Sequence, residues 1–326
     1  FSIHFQYIFN TFLYKIFTIL YLFINNMKIS NKLKIKIFIL ILLVTIILFS
    51  NKLTFKNNNF KNIQNHVNIS DNLPNNVWLY WENKKNKTTP NYIQLCRESV
   101  IKNCSKNLNL ILLNNININK YLPNLRKDIN NLPIPQKVDY IRLAILKKYG
   151  GIYLDSDIIL FKSLDYFINL LKYYDFVGFG SNSFLKKYKT ITYGKISNWA
   201  MCSRKNGILI SKSLDEANKI LDSNKYINYH ELGRELLWKQ IYYLQKSINY
   251  KYYHYSSVNL ERDLNGYKLT NDRFESNEKL DKNYNPYFSI LYNSAPGFSN
   301  SFLAKSKHEL LNSDMLISQL FRKALL

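Results

Sequence analysis

Residues 138–165 read VDYIRLAILKKYGGIYLDSDIILFKSLD. In the first half, Val138, Ile141, Ala144, Ile145 and Tyr149 recur at helical spacing, so a helix is expected over residues 137–149, after Pro133 and Pro135. Lys147 and Lys148 followed by Gly150 form a stop signal, with cations in the last turn and glycine just past it. Gly151 then opens Ile152-Tyr153-Leu154, a strand by propensity, which runs into Asp155-Ser156-Asp157. An amphipathic helix feeding such a strand is the unit of an α/β sheet. Ligands of these sheets sit beyond the carboxyl ends of the strands, where the acidic triplet falls.

Side chains two apart share one face of an extended strand, so Asp155 and Asp157 are expected to project together while Ser156 points away. Two carboxylates without an adjacent base suit a hard divalent cation. Mg²⁺ or Mn²⁺ binds one or two carboxylates and completes its shell with substrate phosphate oxygens and water. Asp139 and Arg142, three residues apart on the helix, would by themselves make an ordinary surface ion pair.

Outward from this stretch, strands and helices alternate. Residues 77–81 (VWLYW) and 108–113 read as strands, with a helix over 91–102 behind Pro90. Further strands are expected at 158–161, 176–179 and 199–203, and helices at 208–221, 231–246 and 310–326. The expected fold class is α/β, with a Rossmann-like mixed sheet that is mostly parallel in its first half.

The first methionine is Met27, followed by Lys28, Lys32, Lys34 and Lys36. Residues 37–51 (IFILILLVTIILFSN) are uncharged and end at Lys52. As a helix they span roughly 22 Å, and snorkelling lysines at both ends extend this toward about 30 Å, the depth of a hydrocarbon core. Basic residues before the span place the N-terminus in the cytoplasm and the bulk of the chain across the membrane, a single-pass type II arrangement. The expected organisation is an upstream stretch or extra apolar segment at 1–26, a basic flank and signal anchor at 27–52, an Asn-rich linker at 53–76, and a catalytic domain at 77–326. In a eukaryote or a eukaryote-infecting virus that domain would face the Golgi or endoplasmic reticulum lumen.

The chain has 326 residues, 47% of them hydrophobic, enough to bury a sizeable core. Its net charge of +23 is spread along the sequence and favours anionic partners without choosing among them. Lys, Asn, Ile and Tyr crowd every segment, so a compositional bias accounts for part of that charge. Cys96, Cys104 and Cys202 lack CxxC spacing, which argues against a disulfide framework or structural zinc. They read as buried or half-buried thiols, with a Cys96–Cys104 pairing open only in an oxidising compartment.

The order D-x-x-R-x-x-x-L-x-x-x-G-G-x-Y-x-D-x-D is carried here by Asp139, Arg142, Leu146, Gly150, Gly151, Tyr153, Asp155 and Asp157, with Leu164-Asp165 after it. It resembles the DxD-containing sugar transferases of the glycosyltransferase family 32-like group, which includes fungal initiating mannosyltransferases and capsular polysaccharide synthesis proteins. The resemblance extends upstream to VWLYWENKK and TPNYIQLCRESV and downstream to about Gly207, roughly half of the chain.

The resemblance implies the A-type nucleotide-diphospho-sugar transferase (GT-A) fold. By it, Asp157 would hold the metal and Asp155 would approach the ribose and metal-bound water, the two forming the catalytic pair. Asp139 and Arg142 would touch the donor sugar, Trp78 and Tyr80 would lie by the nucleobase, and Ser156 would join the donor site. Asn198 and Trp199 would stand on a later strand where donor and acceptor meet. A late His followed by Ser-Trp has no clear counterpart here. His254 is the candidate for it, and Gly233 stands where relatives carry an acceptor-site turn.

The expected activity is metal-dependent, retaining transfer from a nucleoside-diphosphate sugar to a glycan or glycoconjugate, at a membrane and without nucleic acid. The alternatives are a haloacid-type phosphohydrolase, which also uses Asp-x-Asp but lacks its GDxxxD partner here, and a non-catalytic basic nucleic-acid or membrane-surface protein. No RNP, zinc or helix-turn-helix signal supports the latter.

Overall fold

The computed structural model describes residues 30, 73–84, 86–181, 195–223, 226–265, 267–291 and 297–326. The chain divides into two units, Phe1–Asn68 and Ile69–Leu326, and every element below belongs to the second. The expected anchor, the segment before it and the linker up to residue 72 lie outside the described residues. Among the described residues, no helix is long and apolar enough to cross a membrane.

The elements that position the site begin with strand β1 (Asn76–Tyr80), helix α1 (Asn91–Asn103) and strand β2 (Asn109–Leu113). Helix α2 (Ile134–Tyr149) leads into β3 (Gly151–Asp155) and the short β4 (Ile158–Leu160). Then come β5 (Phe176–Ser181), β6 (Lys195–Ser203), α3 (Ile208–Asp222), α4 (Arg234–Ile248), β7 (Tyr253–Ser256), β8 (Phe288–Ile290) and the C-terminal α5 (Leu316–Leu325). Six strands form one sheet in the order β2-β1-β3-β6-β5-β7, and β4 pairs separately with β8. The β2/β1 and β1/β3 pairings are parallel, whereas β6 runs antiparallel to both β3 and β5. The sheet is therefore mixed and parallel in its first half, as expected.

Strand alternation sorts the core into two faces. Trp78, Tyr80 and Tyr153 pack with α2, α3 and α4, while Val77, Leu79, Ile152 and Leu154 pack with β4 and β8 on the other side. A third cluster joins α1 to α5 through Tyr92, Leu95, Leu316, Leu320 and Phe321. The expected helix at 310–326 is two helices, Lys307–Asn312 and α5. At the break, Arg322 Nη1 donates to the freed carbonyls of Leu311 and Ser313 at 2.6 and 2.7 Å, which satisfies backbone groups that a continuous helix would have used itself.

The junction between α2 and β3 requires its two glycines. Gly150 and Gly151 have φ of 67° and 99°, and a Cβ on Gly151 would lie 2.2 Å from the Asn76 carbonyl oxygen. This close approach lets β3 lie in register beside β1, with Asp155 opposite Tyr80 at the carboxyl end of the sheet.

Candidate active site

One turn of α2 carries Asp139 and Arg142, and the structure makes them a buried cluster where the helix alone suggested a surface ion pair. Asp139 is 7% exposed and Arg142 5%. Arg142 Nη2 lies 3.0 Å from Asp155 Oδ1 at the end of β3 and 3.4 Å from Asp139 Oδ1. Its Nη1 donates to the Asn198 carbonyl, and the guanidinium stands 5.0 Å from the centre of the Tyr153 ring. Asn198, on β6, donates from Nδ2 to Asp139 Oδ1 at 2.7 Å. Gly233, just before α4, closes the group: a Cβ there would come within 2.5 Å of both Asn198 Nδ2 and Asp139 Oδ2.

Burial sets the electrostatics. It raises the Asp139 carboxyl to about 7, with the Asp155 charge adding to the rise while Arg142 and the Asn198 amide oppose it. Burial also raises Asp155, again opposed by Arg142. Burial alone would lower the Arg142 pKa, but Asp155 and Asp139 outweigh it, and the net shift is upward.

The structure places the remaining expected residues differently. β3 ends at Asp155, and Ser156-Asp157 form a turn before β4, so strand alternation does not relate the two aspartates. Ser156 is buried and donates its hydroxyl to the Tyr80 carbonyl at 2.9 Å, tying the end of β3 to the end of β1. The Asp157 carbonyl accepts from Leu291 N at 3.0 Å. Its charge also falls on the α1 side, where it adds to burial in raising the pKa of the Tyr92 hydroxyl and the Cys96 thiol.

Trp78 offers no face to a nucleobase. It is 1% exposed, donates from Nε1 to the Gly150 carbonyl at 2.9 Å, and packs against Tyr121 and Tyr149 at ring separations of 5.5 and 5.3 Å. Its position in β1 points it into the core, two residues short of the strand end. Trp199 is likewise a core residue, edge-on to Phe288 at 5.7 Å. The Tyr80 ring is buried too, and its hydroxyl donates to Glu82.

Sequence reading missed Glu82 and Lys137, which pair at 2.8 Å with both side chains 11% exposed, beside Tyr80. A lysine in the first turn of α2, two residues before Asp139, was the available signal. His254 lies on β7, two places beyond β6 in the sheet order, and is not in the cluster. All three cysteines are free, with Cys96 and Cys202 buried and Cys104 half-buried. Among the described residues, no group of three or more His, Cys, Asp and Glu side chains is gathered for a metal.

A family model described as capsular polysaccharide synthesis protein matches residues 28–255. No curated protein matches the sequence. Two solved structures are similar at low identity. One is titled PaToxG glycosyltransferase, at 19% identity over 54% of this chain and 70% of that one, with a TM-score of 0.37. The other is the galactosyltransferase LgtC in complex with donor and acceptor sugar analogues, at 12% identity over 76% and 95%, also with a TM-score of 0.37.

Proposed function

The chain belongs to the capsular polysaccharide synthesis protein family and is a glycosyltransferase; from that premise we propose metal-dependent transfer from a nucleoside-diphosphate sugar to a glycan or glycoconjugate, with retention at the anomeric carbon. One observation carries the proposal: the buried Asp139–Arg142–Asp155 group, joined by Asn198, at the carboxyl end of β3. Buried charge of this kind is costly to maintain in a fold and clusters where chemistry needs it.

Asp155 and Asp157 would hold a Mg²⁺ or Mn²⁺ ion. The donor set suits such an ion, which needs one or two carboxylates and takes its other ligands from phosphate and water, and the Asp155 and Asp157 charges both act on Arg142. The Asp155 carboxylate is 28% exposed and therefore reachable. Such an ion supplies charge compensation for the departing diphosphate. Arg142 orients Asp155 and opposes the rise that burial imposes on its carboxyl, while Asp139, held by the Asn198 amide, faces the donor sugar. In this reading retention follows from attack by the acceptor hydroxyl on the leaving-group face. The signal anchor at 37–51 is kept as part of the proposal, with the catalytic domain beyond the membrane.

The test is to incubate the full chain with a panel of nucleoside-diphosphate sugars and Mn²⁺ or Mg²⁺, and to measure nucleoside diphosphate released. Release from at least one donor, abolished by chelation, is expected. No release from any donor with either ion would overturn the reading.

A further inference from the structure

A second group of side chains adjoins the cluster, and the transfer described above gives it no role. Strand β6 carries Asn198 and, three residues earlier, Lys195; α4 begins at Arg234, directly after the Gly233 that packs on Asp139 and Asn198. The Trp238 indole ties the two elements by donating to the Ile196 carbonyl at 2.7 Å. The tie brings the Arg234 guanidinium to 5.5 Å and Lys195 Nζ to 6.0 Å from the centre of the Trp238 ring.

Two cations gathered at one ring repel each other, and an aromatic face compensates only part of that cost. Among the described residues no protein anion supplies the rest. Among the described residues neither Lys195 nor Arg234 has an ion-pair partner, and Arg234 Nε is buried without a hydrogen-bond partner. The next basic group, His230, has its pKa lowered by burial and then by the Arg234 charge, while the neighbouring Glu235 acts in the opposite sense. A guanidinium with an unpartnered donor has the fork geometry that a phosphate or carboxylate accepts, and an ammonium at the same ring adds charge of the same sign.

We propose that Lys195 and Arg234, gathered at Trp238, form an anion-binding site at the edge of the catalytic cluster, for a phosphate- or carboxylate-bearing part of a substrate. Two sources share that chemistry: the diphosphate of the donor and an acidic sugar of the acceptor. The site goes beyond the proposed function, which assigns the diphosphate to the metal and leaves the acceptor without a contact.

Binding can be measured without turnover, so failure here is distinct from failure of the transferase reading. The full chain is titrated calorimetrically at low salt with inorganic pyrophosphate and, separately, with a hyaluronan tetrasaccharide. Lys195→Gln and Arg234→Gln should each weaken binding of one probe about tenfold, the loss of one hydrogen bond to a charged group. Arg234→Lys should recover part of that loss, and thermal melting checks that the variants fold. Selective loss of pyrophosphate assigns the site to the donor, and selective loss of the tetrasaccharide assigns it to an acidic acceptor. Wild-type protein that binds neither probe, or folded variants that bind both unchanged, would overturn the proposal.

Discussion

Arg142 Nη2 lies 3.0 Å from Asp155 Oδ1, so a side chain from the middle of α2 holds the carboxylate at the end of β3. The same nitrogen is 3.4 Å from Asp139, and one buried cation thereby serves two carboxylates. Replacing Arg142 by Met leaves both acids without compensation. Breaking a buried pair typically costs about 3–5 kcal/mol, and the partial exposure of Asp155 favours the lower end. Urea unfolding should show a loss of about 3 kcal/mol for Arg142→Met and a smaller loss for Arg142→Lys. Equal stability of wild type and Arg142→Met would mean that the clamp does not form.

Asp157→Asn removes one proposed metal ligand with little change in volume. Turnover should fall about a hundredfold or more, the scale of losing one strong electrostatic contact to a developing charge. The Mn²⁺ concentration for half-maximal activity should rise with it. An unchanged Mn²⁺ midpoint at near-normal turnover would remove Asp157 from the metal.

Trp78 is a core side chain, so its replacement should act on stability and not on nucleotide affinity. Trp78→Ala should destabilise by about 3–5 kcal/mol, the usual range for truncating a buried large aromatic. Trp78→Phe keeps most of the ring but loses the hydrogen bond to the Gly150 carbonyl. Its affinity for a nucleoside diphosphate should match wild type while its melting temperature drops, and a marked loss of affinity would return the base to Trp78.

Gly233→Ala would place a methyl group within 2.5 Å of the Asp139 carboxylate and the Asn198 amide. Retreat of either neighbour strains the Asn198–Asp139 hydrogen bond, and retreat of Asp139 also strains its contact with Arg142. Overpacking of this kind costs about 1–3 kcal/mol, and kcat should fall more than that modest destabilisation implies. Retained kcat in a folded Gly233→Ala protein would show that the Asp139–Asn198 contact tolerates displacement.

Asp139 gives stability a distinct pH dependence. Burial raises its carboxyl to about 7 from an ordinary 3.8, so the folded protein binds this proton more tightly than the unfolded chain does. The resulting stabilisation is fully present below about pH 4 and is lost as pH rises through 7. Asp139→Asn cannot ionise. Its stability relative to wild type should therefore rise as pH increases across that interval, which urea titrations at a series of pH values can measure. A flat difference would place Asp139 in solvent.

The sequence by itself determined the local elements and their order. Pro133 and Pro135 before α2, Gly150-Gly151 after it and the apolar run into Asp155 specify helix, turn and strand through local backbone preferences alone. The motif spacing likewise singled out Asp139, Arg142 and Asp155, and the family resemblance added Asn198, which the fold brings into one cluster.

Only the tertiary structure decided what those residues touch. An i,i+3 Asp–Arg pair is equally compatible with solvent and with burial. The packing of β6 and Gly233 over α2 buries it, and burial converts a weak surface contact into a pair with strongly shifted charges. The resemblance set Trp78 by the nucleobase, but both faces of β1 are covered, and α2 with the Tyr121 and Tyr149 rings buries the face that carries Trp78. The meeting of Lys195 and Arg234 at Trp238 was equally invisible, since it rests on one hydrogen bond between a helix and a strand 42 residues apart in the chain. Pairing across such separations depends on how the whole sheet closes, and no local pattern encodes it.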